Sequence, residues 1–290
     1  MDTDRQLHEQ DATGWQRGLC DDITHTFRAP IVNWIFRTVT ANEPAFTRYL
    51  WGQVKPVFET RAFAEFSVAY RDAVLAATDD DARLPRYRPT DVSLDPAAYR
   101  ELRGQLATYD VVAPRLAALF EVADRGLHGD LDPDPGADYA ATAPFPDGLD
   151  RDRGLAPTLV DDTPSELDGT VGAIRAFHGF DDGLPSIYRT LAQWPSYLER
   201  AWNDLEPRFE SATFEEACEA VAELTDEFVG SLSHAPRLAP ADLAGRFDEG
   251  TISDVRDLFR TFNTGPVETV LPALPVWAAT VDADGRRTLG

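Results

Sequence analysis

The sequence predicts an all-α protein, with two tandem helical repeats packed as a pseudo-dimer about a pseudo-twofold axis. Three observations predict it. Apolar residues recur at helical spacing, strand-like alternation bounded by tight hairpin turns is missing, and one pattern of aromatics and prolines occurs twice.

Ile31, Val32, Trp34, Ile35 and Val39 carry apolar side chains at i, i+3 and i+4, and Phe46, Leu50, Trp51 and Val54 repeat that spacing. Asp95-Pro96 opens a helix at AAYRELRGQL, where the proline's missing N–H is not needed. Leu116, Leu119, Phe120 and Ala123 mark the next apolar face. The stretch from Gly129 to Gly169 is crowded with Asp, Pro and Gly and lacks such a face, so it reads as an exposed linker. Beyond it, Ala217, Val221, Leu224 and Phe228 restore the helical period. Thr213 with Glu216 fits a capping box, and Ser253-Asp254 marks a helix start before VRDLFRTF.

The repeat shows at an offset of 151 residues, which brings Pro44 to Pro195, Phe46 to Tyr197, Trp51 to Trp202, Pro56 to Pro207, Phe58 to Phe209 and Phe63 to Phe214. Upstream, Ile35-Phe36-Arg37-Thr38-Val39 echoes Ile187-Tyr188-Arg189-Thr190-Leu191 after a one-residue shift. The expected organisation is a first helical repeat over 1–128, a linker over 129–169, a second repeat over 170–282 and a polar tail over 283–290. Each copy has a tryptophan-rich face to bury, and two such faces closing on one another leave one pocket in the seam.

The 290 residues carry 50 acidic and 27 basic side chains, a formal net charge of -23, and Lys55 is the only lysine. Carboxylates scattered along the whole chain read as adaptation to a salty cytoplasm, where they hold water and cations and salt screens their repulsion. The same field disfavours nucleic acid and anionic membrane as partners. The opening MDTDRQLHEQ has neither a basic flank nor an apolar core, so no secretory signal is expected there. No run approaches the roughly 20 apolar residues of a membrane span. Cys20 and Cys218 stand far apart and outside any CxxC motif, as expected of reduced cytoplasmic thiols.

Generic catalytic motifs are missing: there is no GxGxxG, P-loop, GxSxG, HExxH or EF-hand loop. His8, His25, His128, His178 and His234 are too scattered for a local metal motif, and no metal or cofactor is expected. Asp21-Asp22, Asp79-Asp80-Asp81 and Asp161-Asp162 read as solvated clusters, while Asp181-Asp182 lies just before the helix LPSIYRTLAQWP, near the expected seam. Trp34, Trp51, Trp194 and Trp202 serve as core or as pocket walls, with Asn33 and Asn203 as polar neighbours.

The stretch from Leu184 to Asn203, LPSIYRTLAQWPSYLERAWN, resembles the signature region of the group I 2-haloacid dehalogenases, also called halocarboxylic acid dehydrogenases of the DehI type. APIVNWIFRTVTANEPAFTRYLW and TYDVVAPRLAALFEVA are similar to its other recurring segments. The resemblance implies a hydrolase without cofactor or metal. An aspartate activates a water that displaces halide from a 2-haloacid directly, with inversion, without a covalent ester, and on either enantiomer. It also implies a site between the repeats, matched by Trp34, Phe36, Ser186 and Tyr188, and with Asn203, the polar neighbour of Trp202, these are the candidates for binding a small carboxylate. The catalytic aspartate would stand between Ser186 and Tyr188, where this chain has Ile187, and the family's asparagine before Pro114 is Ala113 here. Two functions follow. One is a dehalogenase whose base has moved, with Asp182 as the nearest acid. The other is a divergent member without that aspartate, binding a small carboxylate or doing other chemistry. A homodimer is compatible with either.

Overall fold

The computed structural model describes residues 1–79, 83–132, 140, 142–265, 267–285, 287 and 289. The described chain is helical, and its β-pairing is confined to two isolated bridges, Thr60 with Pro144 and Ala244 with Phe247. The first half holds α1 (Gly14–Phe27), α2 (Trp34–Asn42), α3 (Pro44–Val54) with a 3-10 turn (Lys55–Glu59), α4 (Arg61–Asp79) and α5 (Pro96–His128). The second half holds α6 (Asp168–His178), α7 (Ser186–Leu191), α8 (Pro195–Phe209), α9 (Ala212–Gly230), α10 (Pro240–Leu243), α11 (Glu249–Asn263) and α12 (Val267–Ala279). No helix among the described residues is long and apolar enough to cross a membrane.

Helix α5 is the spine. At 33 residues it runs about 50 Å. Every residue from Gln105 to Arg115 is buried, so its middle is surrounded on all sides. Asp95 caps it as expected, its carboxylate accepting the Ala97 and Ala98 N–H groups. Helices α4, α9, α11 and α12 pack along it. Across the two halves, Phe66 of α4 stacks on Phe228 of α9 at 4.7 Å.

Several helix limits share the 151-residue offset. Helices α4 and α9 start at 61 and 212 and end at 79 and 230, while α1 and α6 end at Phe27 and His178. Past that point the halves part, because the long α5 faces two shorter helices, α11 and α12.

Two helix starts differ from the sequence expectation. Ser211, rather than Thr213, caps α9 by accepting the Phe214 N–H. Helix α11 begins at Glu249, with Asp248 accepting the Thr251 N–H, ahead of Ser253-Asp254. In both cases an earlier Ser or Asp already satisfies the free N–H groups of the first turn.

The linker is the larger correction. Ala143, Leu149 and Asp150 are buried, and Asp150 is 2% exposed. Asp150 accepts a bidentate bond from Arg71 of α4 at 2.9 and 3.1 Å, one from Arg115 of α5 at 3.1 Å and one from Arg153 at 2.9 Å. Burial opposes ionisation of Asp150, yet Arg115 and Arg71 outweigh it and hold the carboxyl well below the usual range. Composition hid this, since an Asp-rich loop looks solvated until its arginine partners are known. The following turn lies flat on α5. A Cβ on Gly154 would meet Thr108 Oγ1 at 1.9 Å, and the Leu155 N–H bonds the Gly104 carbonyl at 2.9 Å. The Asp79–Asp81 cluster falls outside the described residues, apart from the Asp79 backbone at the end of α4.

Candidate active site

Trp34 occupies the first position of α2 and is half-buried. Its ring stacks on Phe262 of α11 at 4.4 Å, and Phe262 stacks on Phe120 of α5 at 5.9 Å. Ser186 opens α7 after Gly183, whose φ of +74° is the left-handed backbone that glycine adopts freely. The Tyr109 hydroxyl of α5 bonds Thr190 Oγ1 of α7 at 2.8 Å and lies within hydrogen-bonding reach of Ser186. Tyr109 and Phe120 share one helix, so Trp34 and Ser186 are anchored to the same spine at points about 16 Å apart along it.

The first turns of α2 carry a run of unsatisfied polarity. Asn33 Oδ1, Arg37 Nε and Thr38 Oγ1 are buried without a hydrogen-bond partner, all at the start of α2. Each buried orphan of this kind costs about 1–3 kcal/mol, and native proteins hold few of them. A bound polar ligand would satisfy them. Burial raises the Tyr109 pKa, and its bonds to Thr190 and Ser186 and the charges of Arg37 and Arg189 offset only part of that. The phenol therefore stays protonated near neutral pH and can donate.

The residues singled out in the sequence do not all meet. Trp34 and Ser186 touch different partners, Phe262 and Tyr109, and share only the α5 spine. Phe36, 1% exposed, packs edge-on against Phe27 and Trp51 inside the first half and has no surface to offer a ligand. Tyr188, 0% exposed, is its counterpart inside the second half, with its hydroxyl 2.6 Å from His178 Nε2. Asn203 stands on the solvent side of α8, because its neighbour Trp202 takes the buried side. Asp182 is exposed in the loop before α7, and its Oδ1 accepts the Gly183 N–H. Ile187 is 2% exposed and supplies no proton acceptor, and Ala113, fully buried in α5, supplies no side-chain donor. Three residues of the site went unremarked in the sequence as functional groups: Arg37, Thr38 and Tyr109. The first two lay in the repeated Arg-Thr pair, which was the available signal.

The profile of the family described as "Halocarboxylic acid dehydrogenase DehI" matches residues 30–149, the segment that carries α2 and α5. A configuration-inverting 2-haloacid dehalogenase from Pseudomonas sp. (strain 113) is 26% identical over 271 residues, covering 89% of this chain and 85% of the relative. The chain is similar to the DehI family. A second relative of known activity, the (R)-2-haloacid dehalogenase of Rhizobium sp. (strain NHG3), is 26% identical over 206 residues, covering 70% of this chain and 78% of that one. A solved D-2-haloacid dehalogenase mutant in complex with D-2-CPA superposes with a TM-score of 0.80 at 18% identity, over 95% of both chains. The same enzyme type with L-LA gives 0.81 at 18% identity, again over 95% of both. These superpositions establish a fold shared with D-2-haloacid dehalogenases over 95% of the chain.

Proposed function

We propose that this chain is a DehI-family, dehalogenase-like protein that takes small 2-halocarboxylic acids into the seam between its halves. The halves would be two copies of one unit related by a pseudo-twofold axis. The observation that carries the proposal is the concentration of unpartnered buried polar atoms at the start of α2, in a fold shared with 2-haloacid dehalogenases. Hydrolysis there consists of one displacement. Water oxygen bonds to C2, the carbon–halogen bond breaks, halide leaves with the electron pair, and the water's proton passes to solvent or a nearby base. Tyr109 and Ser186 can orient the acid, and the buried setting strengthens each of their hydrogen bonds.

Ile187 sets the expected rate. Losing a general base removes about 10²- to 10⁴-fold, so hydrolysis by this chain should be slow, and Ile187→Asp should raise it by about that factor. It is also the observation behind a second reading, in which the site holds a small carboxylate without turning it over. Formation of lactate from each enantiomer of 2-bromopropionate separates the two. The acidic, lysine-poor composition makes molar sodium sulfate the first buffer to use. Slow, inverting lactate formation by the wild type supports hydrolysis. Product from Ile187→Asp alone supports the holding role, and neither product nor binding in either protein refutes the proposal. From its place in solvent, Asp182→Asn should change nothing.

A further inference from the structure

Beside the seam lies an open cleft of about 780 Å³ with charged walls. Residues 6–10 form one wall, held over α2 by the Leu7 N–H on the Arg37 carbonyl at 3.1 Å and the Val32 N–H on Glu9 Oε1 at 2.5 Å. The opposite wall, residues 156–161, is fixed to the core on both sides. The Thr158 N–H donates to Gln105 Oε1 at 3.1 Å, Gln193 Nε2 donates to the Thr158 carbonyl at 2.8 Å, and Arg189 Nε donates to the Val160 carbonyl at 3.0 Å. A wall held this way keeps its shape without a ligand.

The charges in the cleft are not all matched. Arg17 pairs with Asp21 at 3.0 Å on the surface. Arg189 reaches the fully solvated Asp161 at 3.5 Å, and one oxygen of Glu9 is committed to Val32. Arg37 is left over. It is 5% exposed, its Nε has no partner, and Nη1 has only His8 Nδ1 at 3.4 Å. A buried guanidinium normally meets a carboxylate, because desolvating it alone is costly. Glu9 sits close enough to act on it electrostatically without bonding it. Arg37 and Arg189 hold equivalent places in the echoed segments, both line the cleft, and both act on Tyr109, the residue that reaches Ser186.

We propose that Arg37, assisted by Arg189, captures the carboxylate of a small organic monoacid in this cleft and delivers it to the seam. The inference rests on the function proposed above and names the anion-recognition residues for it. A single buried guanidinium flanked by Glu9 and Asp161 suits one negative charge better than a phosphate dianion, and Cys20, Ile31 and Leu159 offer an apolar surface for a short chain. A chain of net charge -23 repels anions at long range, so a local cationic group is what lets an anionic ligand in.

Titration calorimetry with propionate, and with propionamide as its uncharged isostere, tests this on the wild type and on Arg37→Gln, Arg37→Lys and Arg189→Gln. Propionate should bind the wild type at least about tenfold tighter than propionamide. Arg37→Gln should weaken propionate by about 10- to 100-fold, Arg37→Lys by less, and Arg189→Gln by less than Arg37→Gln. The wild-type comparison of acid and amide needs no folded variant. Equal binding of acid and amide, no propionate binding, or unchanged affinity in Arg37→Gln overturns the inference. Propionate binding that depends on Arg37 without 2-bromopropionate turnover sustains it while sinking hydrolysis. Turnover with an unchanged KM in Arg37→Gln does the reverse.

Discussion

The two halves bury ring clusters of the same layout with different polarity. In the first, Phe27, Phe36, Trp51, Phe58 and Phe63 are in successive contact; in the second, His178, Tyr188, Trp202, Phe209 and Phe214 take the matching places. Phe36 meets Trp51 at 5.5 Å and 89°, and Tyr188 meets Trp202 at 6.0 Å and 86°. Phe58 lies 5.0 Å from Phe63, and Phe209 lies 4.9 Å from Phe214. Polarity is distributed in opposite ways. The first cluster is apolar at its centre and polar at its rim, where Trp51 Nε1 donates to Asp22 at 2.7 Å and Lys55 joins at 2.8 Å. The second carries a His178–Tyr188 bond at its centre, with His178 also 2.7 Å from Thr269 of α12, while Trp202 Nε1 is buried without a partner. One ring scaffold thus tolerates either arrangement. What decides it is the neighbouring element, α1 with its Asp22 in one half and α12 in the other.

That comparison can be broken by exchange. The largest effect should come from removing the central indoles. Trp51→Ala and Trp202→Ala should each lose about 3–5 kcal/mol in denaturant unfolding, with Trp202 the worse because it also stacks on buried Trp277 at 13°. A smaller effect is expected where polarity alone changes. Tyr188→Phe and His178→Phe should each cost about 1–3 kcal/mol by orphaning a partner, whereas the double variant, which recreates the Phe27–Phe36 pair, should be nearly neutral. A double variant as unstable as the sum of the singles would show that the two clusters are not interchangeable.

The subtlest effect is in pH. Burial lowers the His178 pKa from 6.5 to about 3, so the folded state keeps it neutral. Between those values the unfolded chain binds the proton and the folded chain does not. Its contribution is therefore complete above about pH 6.5 and is lost as pH falls toward 3. The first cluster has no such group. Stability measured from pH 7 down to 4 should fall more steeply in the wild type than in the His178→Phe/Tyr188→Phe variant. Parallel curves would mean that His178 is protonated in the fold.

Most of the scaffold was legible in the sequence because periodic apolar residues and Pro or Asp at helix starts act locally. Asp95 shows this, and so does the 151-residue offset that the limits of α4 and α9 follow. What stayed hidden depended on distant partners. Asp150 looked solvated until Arg71 and Arg115 closed on it, and Phe36 and Tyr188 looked like pocket walls until each was enclosed by its own half. The motif led to the expectation of Trp34 and Ser186 at the seam. Arg37 and Tyr109 were not recognised, because a buried arginine and a core tyrosine carry no sequence mark of their unmet or shared hydrogen bonds.

The account stands on ligand being held between the starts of α2 and α7, beside α5. A crystal structure with 2-chloropropionate tests that directly. It should show the acid between those helix starts, with its carboxylate within ~3.2 Å of the Arg37 guanidinium or the Ser186 hydroxyl. Density for the acid elsewhere on the molecule, with this seam closed or filled by side chains alone, would contradict it.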